Sequence, residues 1–263
     1  MTTDLARVRA LRDNYLAYFR LFHSQHGIRV HEDAETAWII ANGPPGNHLL
    51  RTTIQGSQPD ARLQAILQEI ARWTGGMRWL VFPFDAPQDM AARLRALGLH
   101  EDEGDVWMFR DLEHLPALTL PPGFRVEVVA DLPTLRRWWT VSAQGFGMRQ
   151  KMAQVWYDAY RRHGFGPGAY ALHVIGWAGR EPVASASLIL AAGIAGVYDV
   201  STAPWARRRG YARAVTLHLL HLARERGYHV AGLQTHDAIE LYENLGFTVG
   251  WREKEFVWAA PSS

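Results

Sequence analysis

The sequence has 263 residues, 28 Lys and Arg against 26 Asp and Glu, 48% apolar residues and no cysteine. That length suits one large domain or two modest ones, each able to bury a core. The missing thiols exclude a disulfide framework, a cysteine-ligated zinc or iron–sulfur site and a cysteine nucleophile.

The net charge of +2 comes from arginines interleaved with carboxylates, without a long basic tract, so no nucleic-acid partner is expected. The first residues enter a charged helical pattern and lack the basic flank and unbroken apolar core of a signal peptide. The longest uncharged run, residues 182–198, falls short of the roughly 20 apolar residues a bilayer span needs. A cytoplasmic protein without a membrane partner is expected.

In chain order, the pattern predicts a helix over residues 5–23, strands over 28–30, 36–41 and 48–54, and a helix over 60–73. In that helix Leu63, Ile66, Leu67 and Ile70 recur at helical spacing before Gly75 and Gly76. A strand over 78–84, a helix over 87–97 and a strand over 106–110 complete the first half. Residues 115–123 are proline-rich and read as a connection. The second half predicts a strand over 124–129, helices over 132–144 and 150–163, and strands over 171–177, 183–190 and 196–202. A helix over 211–226, a strand over 229–234, a helix over 238–245 and a strand over 255–259 follow.

The two halves end alike. Ala96-Leu97-Gly98-Leu99 stands where Asn244-Leu245-Gly246-Phe247 stands in the second, each closing a helix on glycine, and an aromatic-rich strand follows both. An internal duplication with a period of about 150 residues is expected: a first domain over 1–115, a linker over 116–123 and a second domain over 124–263. The fold class is mixed α/β, each half a central mixed sheet flanked by helices.

The residues that carry chemistry lie in Val200-Ser-Thr-Ala-Pro-Trp-Ala-Arg-Arg-Arg-Gly-Tyr-Ala212, where a strand runs into a basic, glycine-containing turn and then an amphipathic helix. Such a turn aims backbone N–H groups at one point, the helix N-terminus adds partial positive charge, and the arginines supply donors for phosphate oxygens. Taken alone, the same pattern also describes a solvated helix start. The wider pattern Thr202-x-Pro204-x-x-Arg207-x-x-Gly210-x-Ala212, followed by Ala238-Ile-x-Leu-Tyr-x-x-Leu-Gly-Phe247, resembles the GNAT superfamily of acyl-CoA-dependent N-acyltransferases. The resemblance covers roughly residues 124–260, and the first half joins it by its order of elements.

That resemblance implies acetyl-CoA as the acyl donor. Backbone near Val200 and Thr202 would hold the pantetheine arm, and Arg207, Arg208, Arg209, Gly210, Tyr211 and Ala212 would hold the pyrophosphate. Tyr242 matches the tyrosine that in many members protonates the departing thiolate. A thiolate whose conjugate acid has a pKa of about 8.5 can take a proton from a phenol near 10. The glutamate that many members carry on the preceding strand is missing. Asp199 is the carboxylate there, and regular alternation would put it on the face opposite Tyr198 and Val200 unless a bulge intervenes. Asp199 and His236 are the candidate bases, a structural ion pair and a surface loop being their plainer roles. Thr235 stands where an asparagine is common in the superfamily.

The pairs His23/His26 and His218/His221 have helical spacing but no nearby carboxylate ligand, so no metal is expected. Trp138, Trp139 and Trp156 read as core or interface residues. The helices over 131–168 carry Arg136, Arg137, Arg149, Lys151, Arg161 and Arg162 against Asp131 and Asp158, which suggests an acceptor with an acidic group. The first half has Leu94 at the place of Tyr242 and no arginine–glycine turn in residues 55–60, so it reads as a degenerate copy that walls the acceptor cleft. The expected function is acetyl transfer from acetyl-CoA to a primary amine of a small molecule or peptide, by a monomer or homodimer. A non-catalytic acyl-CoA-binding protein, or transfer from another acyl or aminoacyl donor, remains the alternative.

Overall fold

The computed structural model describes residues 4–23, 25–165 and 168–260. The first part of the chain forms α1 (Leu5–Arg20), β1 (Arg29–Glu32), β2 (Thr36–Ile40), β3 (His48–Thr52), α2 (Pro59–Ala71), β4 (Gly76–Leu80), α3 (Met90–Ala96) and β5 (His100–Asp111). The second forms β6 (Phe124–Val128), α4 (Leu132–Gly145), α5 (Gln150–His163), β7 (Ala171–Ala178), β8 (Glu181–Ala191), β9 (Ile194–Thr202), α6 (Tyr211–Glu225), β10 (Val230–Thr235), α7 (Ile239–Glu243) and β11 (Thr248–Ala259). Capping residues start two of the helices where the pattern expects them. Asp4 accepts from the amides of Ala6 and Arg7 at the head of α1, and Asp131 accepts from Thr134 at the head of α4, each satisfying orphan donors.

All eleven strands join one mixed sheet in the order β1-β2-β3-β4-β11-β5-β10-β9-β8-β7-β6. Leaving β6 aside, this order reads the same from both ends when β1 to β5 are matched with β7 to β11. The last strand of each part therefore lies among the strands of the other: β11 pairs with β4 and β5 pairs with β10, while β5 and β11 pair with each other. The matching extends to the helix ends. Leu99 N donates to Leu94 O at 3.0 Å and Phe247 N donates to Tyr242 O at 3.0 Å, the same closure around a positive-φ glycine in each part.

Several boundaries differ from expectation. β5 and β11 each run twelve residues rather than five, because their charged, non-alternating ends pair with one another, Lys254 opposite Glu103 and Glu255 opposite Asp102. β4 stops at Leu80, since Asp85 takes the amide of Phe82 at 2.9 Å and turns the chain.

Trp38, Ile40, Leu49, Trp79, Phe256 and Trp258 make a core under α2 and α3, and a larger core runs through the rest of the molecule. Helix α1 packs on β8 and β9 in the other part of the chain. Buried Asn14 fastens it there, donating to Ile189 O at 2.8 Å and Ile194 O at 2.9 Å and accepting from Tyr198 Oη at 2.9 Å. The connection after β5 follows α6, with Pro116 O 2.9 Å from His221 Nε2. No helix among the described residues is long and apolar enough to cross a membrane.

Candidate functional site

The site begins with a separation of strands. β9 and β10 run parallel but pair at only two positions, Ala195 with Ala231 and Gly196 with Gly232. Beyond them no pairing joins the two strands, so the edge of β9 at residues 200–202 has no neighbouring strand and a ligand can address it as another strand would, beside the Arg207 side chain that reaches Thr202 O. The resulting groove holds about 660 Å³ and is lined by Val200, Thr202, Arg207, Arg208, Gly210, Tyr211, Ala212 and Tyr242, together with Gly145 at the end of α4. Thr202 Oγ1 is buried in its wall without a partner among the described residues.

The floor of the groove is the turn before α6. Arg208 and Gly210 both have positive φ, +64° and +79°, and Gly210 is the residue from which the helix starts. In this conformation a glycine meets no steric cost, and no side chain caps the helix. Ala214 N reaches Gly210 O at 3.0 Å, but the amides from Arg208 to Arg213 find no acceptor among the described residues. A run of open N–H groups at the positive end of a fifteen-residue helix binds anions. Arg207 is held across the mouth by bonds to Thr202 O at 3.3 Å and Gly145 O at 2.8 Å. Arg209 is exposed and does not line the groove.

Asp199 comes from a bulge. β8 and β9 slip register between Ser185 paired with Ser201 and Ser187 paired with Tyr198, and Asp199 sits in the slip with φ +52°. Regular alternation is thereby broken. The carboxylate opens onto a second cavity, of about 400 Å³, walled by Trp138, Trp139, Ser142, Phe146, Met148 and Trp156. Val200, the next residue, lines the groove, so neighbouring residues of β9 border the two cavities.

Burial raises the Asp199 pKa above the ordinary aspartate value, opposed by hydrogen bonds from Tyr160, Ser187 and Tyr18. The Tyr160 hydroxyl donates to Oδ2 at 2.5 Å, and burial keeps that phenol protonated by raising its own pKa. Ser187 leads on to His173, whose Nδ1 lies 2.8 Å away and whose pKa burial lowers to about 3, so its ring is neutral. Tyr18 enters from α1: it stacks on Tyr198 at 4.6 Å and accepts from Trp156 Nε1 at 2.6 Å.

On the other side of the bulge, Tyr242 lies on α7 with its ring against Phe247 at 5.8 Å. Burial raises its pKa to about 12, so it holds its proton at neutral pH. Thr235, at the end of β10, accepts from Ala238 N at 3.1 Å and so serves to start α7.

Other candidates lie elsewhere. His236 is 60% exposed, stands 3.8 Å from Asp105 and lines a separate acidic hollow with Glu253 and Glu255, away from the groove. Arg136 and Arg137 line an outer groove and lie over the rings of Tyr157 and Trp177 at 5.9 and 5.7 Å, and neither lines the cavity beside Asp199. The aromatic wall and the Tyr18, Tyr160, Ser187 and His173 support were not singled out from sequence as functional. A partial signal exists in α5, where Trp156 and Tyr160 are four residues apart and share a helix face.

The first part of the chain repeats the strand separation and then closes it. β3 and β4 also pair at only two positions, His48 with Arg78 and Leu49 with Trp79. Here the following loop fills the gap: Ala86 N donates to Thr52 O at 3.1 Å, Ile54 N donates to Ala86 O at 2.9 Å, and Thr53 bridges Ala86. The edge that is free on β9 is therefore occupied on β3 by the protein's own backbone. Buried Asp85 holds the plug, with Arg12 at 3.8 Å.

Residues 132–247 match the model of the acetyltransferase (GNAT) family. No curated protein matches the sequence significantly. Among solved structures, a GCN5-related N-acetyltransferase from Kribbella flavida is similar over 100% of this chain and 98% of its own, with a TM-score of 0.67 and 16% identity. A tandem GNAT protein from the clavulanic acid biosynthesis pathway is similar over 100% of this chain and 98% of its own, with a TM-score of 0.65 and 13% identity. A GCN5-related N-acetyltransferase from Sphaerobacter thermophilus covers 94% of this chain and 86% of its own, at 0.62 and 15%. At such identities the likeness is one of fold, and it runs through both parts of the chain.

Proposed function

We propose that this chain, with its GNAT fold and its family match over residues 132–247, is an acyl-CoA-dependent N-acyltransferase that uses acetyl-CoA to acetylate a primary amine. The observation that carries the reading is the placing of two cavities on neighbouring residues of the bulge, a groove at Val200 with open amides at a helix start and a cavity at Asp199 with a carboxylate residue in its wall. The groove fits the donor: unpaired amides from Arg208 to Arg213 suit a pyrophosphate, and the free edge at Val200 and Thr202 suits an amide-bearing pantetheine arm. When bound, the thioester supplies an electrophilic acyl carbon.

In this reading Asp199 takes a proton from the incoming ammonium, leaving a neutral amine to attack. The new N–C bond forms as the C–S bond breaks, Tyr242 gives its proton to the departing sulfur, and the second proton that the nitrogen loses on becoming an amide restores the phenol through solvent. A carboxylate with a raised pKa is a better base than an exposed one, and the hydrogen bond from the Tyr160 hydroxyl favours its charged form. We also read residues 1–115 and 124–263 as two copies of one domain joined by 116–123. The palindromic strand order and the shared helix closure support this. The first copy contributes strands and α1 rather than a second donor site.

The test is thermal unfolding with and without acetyl-CoA, on the native chain and on Gly210→Glu. Ligand at 100 times its Kd stabilises the native state by about 2.7 kcal/mol. A shift in the native chain that the variant lacks supports the reading, and no shift in either removes its main support.

A further inference from the structure

The cavity beside Asp199 has an unusual composition for a polar chemistry. Three indoles, a phenyl ring and a thioether form most of its wall, and its one charged group is the Asp199 carboxylate. Two of the indoles are fixed by their N–H groups, Trp138 on Ala186 O at 3.2 Å and Trp156 on Tyr18 Oη at 2.6 Å. With those donors used, what these two rings offer a ligand is apolar surface and π-electron density. Aromatic rings attract a nearby cation through their quadrupole, and a desolvated carboxylate attracts it more strongly.

Resting on the acyl-transfer reading of this site, we propose that the acceptor is an arylalkyl monoamine: a ring-sized apolar body bearing a single primary ammonium and no carboxylate. The volume of about 400 Å³ lies within the range of small-molecule pockets and accommodates one or two rings. The ammonium pairs with Asp199, the body lies among the indoles, and the nitrogen faces the groove at Val200.

The same wall disfavours the other common amines. An amino sugar would bury several hydroxyls against a wall whose open side-chain partners, among the described residues, are Ser142 and the buried, unpartnered Trp139 Nε1, and each polar group left unpaired costs free energy. A polyamine would bring a second ammonium to a wall with one carboxylate. An amino acid would set its carboxylate beside Asp199, and no arginine or lysine among the described residues lines that cavity. This acceptor is the opposite of the acidic one that the charge of residues 131–168 suggests, and the phenylalanine probe separates the two.

The experiment uses the full chain and four probes: 2-phenylethylamine, phenylalanine, spermidine and glucosamine. Binding is measured by calorimetry in the presence of coenzyme A, and acetylation is measured separately with acetyl-CoA. 2-Phenylethylamine is expected to bind at least tenfold tighter than each of the others. The near-isosteric Asp199→Asn weakens it at least tenfold, and Trp139→Ala weakens it while leaving coenzyme A affinity unchanged. Equal or tighter binding of any other probe overturns the proposal, as does an unchanged affinity in folded Asp199→Asn. Binding of 2-phenylethylamine without acetylation upholds the pocket's specificity and removes the acyl-transfer reading. Preferred acetylation of spermidine or glucosamine does the reverse.

Discussion

The sheet opens twice, between β9 and β10 and between β3 and β4, and each opening follows just two paired positions. One opening is lined by an amide-rich turn and a tyrosine. The other is closed by residues 82–87, whose Ala86 pairs with Thr52, Thr53 and Ile54 as an added strand would. Separated parallel strands are therefore a feature of the fold, and a groove needs in addition that no segment of backbone pairs with the opened edge. On β9 the Arg207 side chain reaches Thr202 O but no backbone segment pairs there among the described residues, which leaves that edge accessible to a ligand.

The largest expected effect lies at the bulge that only the second part uses for a carboxylate. Asp199→Asn should lower kcat on any accepted amine by 10² to 10⁴-fold while leaving coenzyme A affinity unchanged. Because the carboxylate must be ionised to act and burial raises its pKa, the native rate should fall on the acid side at a pH above the usual aspartate range. That limb should vanish in the variant. A retained rate with the same pH profile would assign the base elsewhere.

Next in size is the turn. Gly210→Glu forces a side chain into positive φ and places a charge among the open amides, so acetyl-CoA affinity should drop by about 100-fold or more. Calorimetry on the native chain should find one coenzyme A per chain. A second equivalent would mean that the plug opens, and would erase the contrast between the two openings.

The plug has its own signature. Burial raises the Asp85 pKa to about 7, so the folded state binds a proton that the unfolded state has released at an ordinary aspartate pKa of about 4. Between those values the native state carries more protons, and stability contributed by this group declines as pH rises from about 4 to about 7. Asp85→Asn should remove a decline of a few kcal/mol, read from denaturant unfolding at pH 5 and pH 8. An equal slope in both proteins would show that the carboxyl is not the titrating group.

The smallest effect is the contribution of α1 to the other part. Tyr18→Phe removes the acceptor for Trp156 Nε1 and one donor to Asp199, and should raise KM for the amine several-fold with little change for acetyl-CoA. A change in acetyl-CoA affinity alone would contradict the placement of Tyr18 on the acceptor side.

Much of this was legible along the chain. Local signals marked the order of helices and strands, the basic glycine turn before α6 and Tyr242 on its short helix, because caps, glycines and amphipathic spacing act within a few residues. The likeness of the helix endings at Gly98 and Gly246 was likewise readable, and Leu99 N to Leu94 O corresponds to Phe247 N to Tyr242 O as Gly98 N to Arg95 O does to Gly246 N to Glu243 O. The charged ends of β5 and β11 were not, since strands without alternation declare themselves only through the partner they find.

The sequence alone marked the candidates for chemistry: a basic, glycine-containing turn before a helix, a tyrosine, and one carboxylate on the strand before them. Tertiary structure decided which way that carboxylate points, because a one-residue bulge reverses side-chain parity and leaves no mark in composition. It also decided that His236 meets Asp105 instead of the groove, that the arginines of α4 stay outside the cavity, and that the first opening is plugged. Each of these depends on contacts between segments tens to hundreds of residues apart, and spacing along the chain carries no information about such contacts until the sheet brings them together.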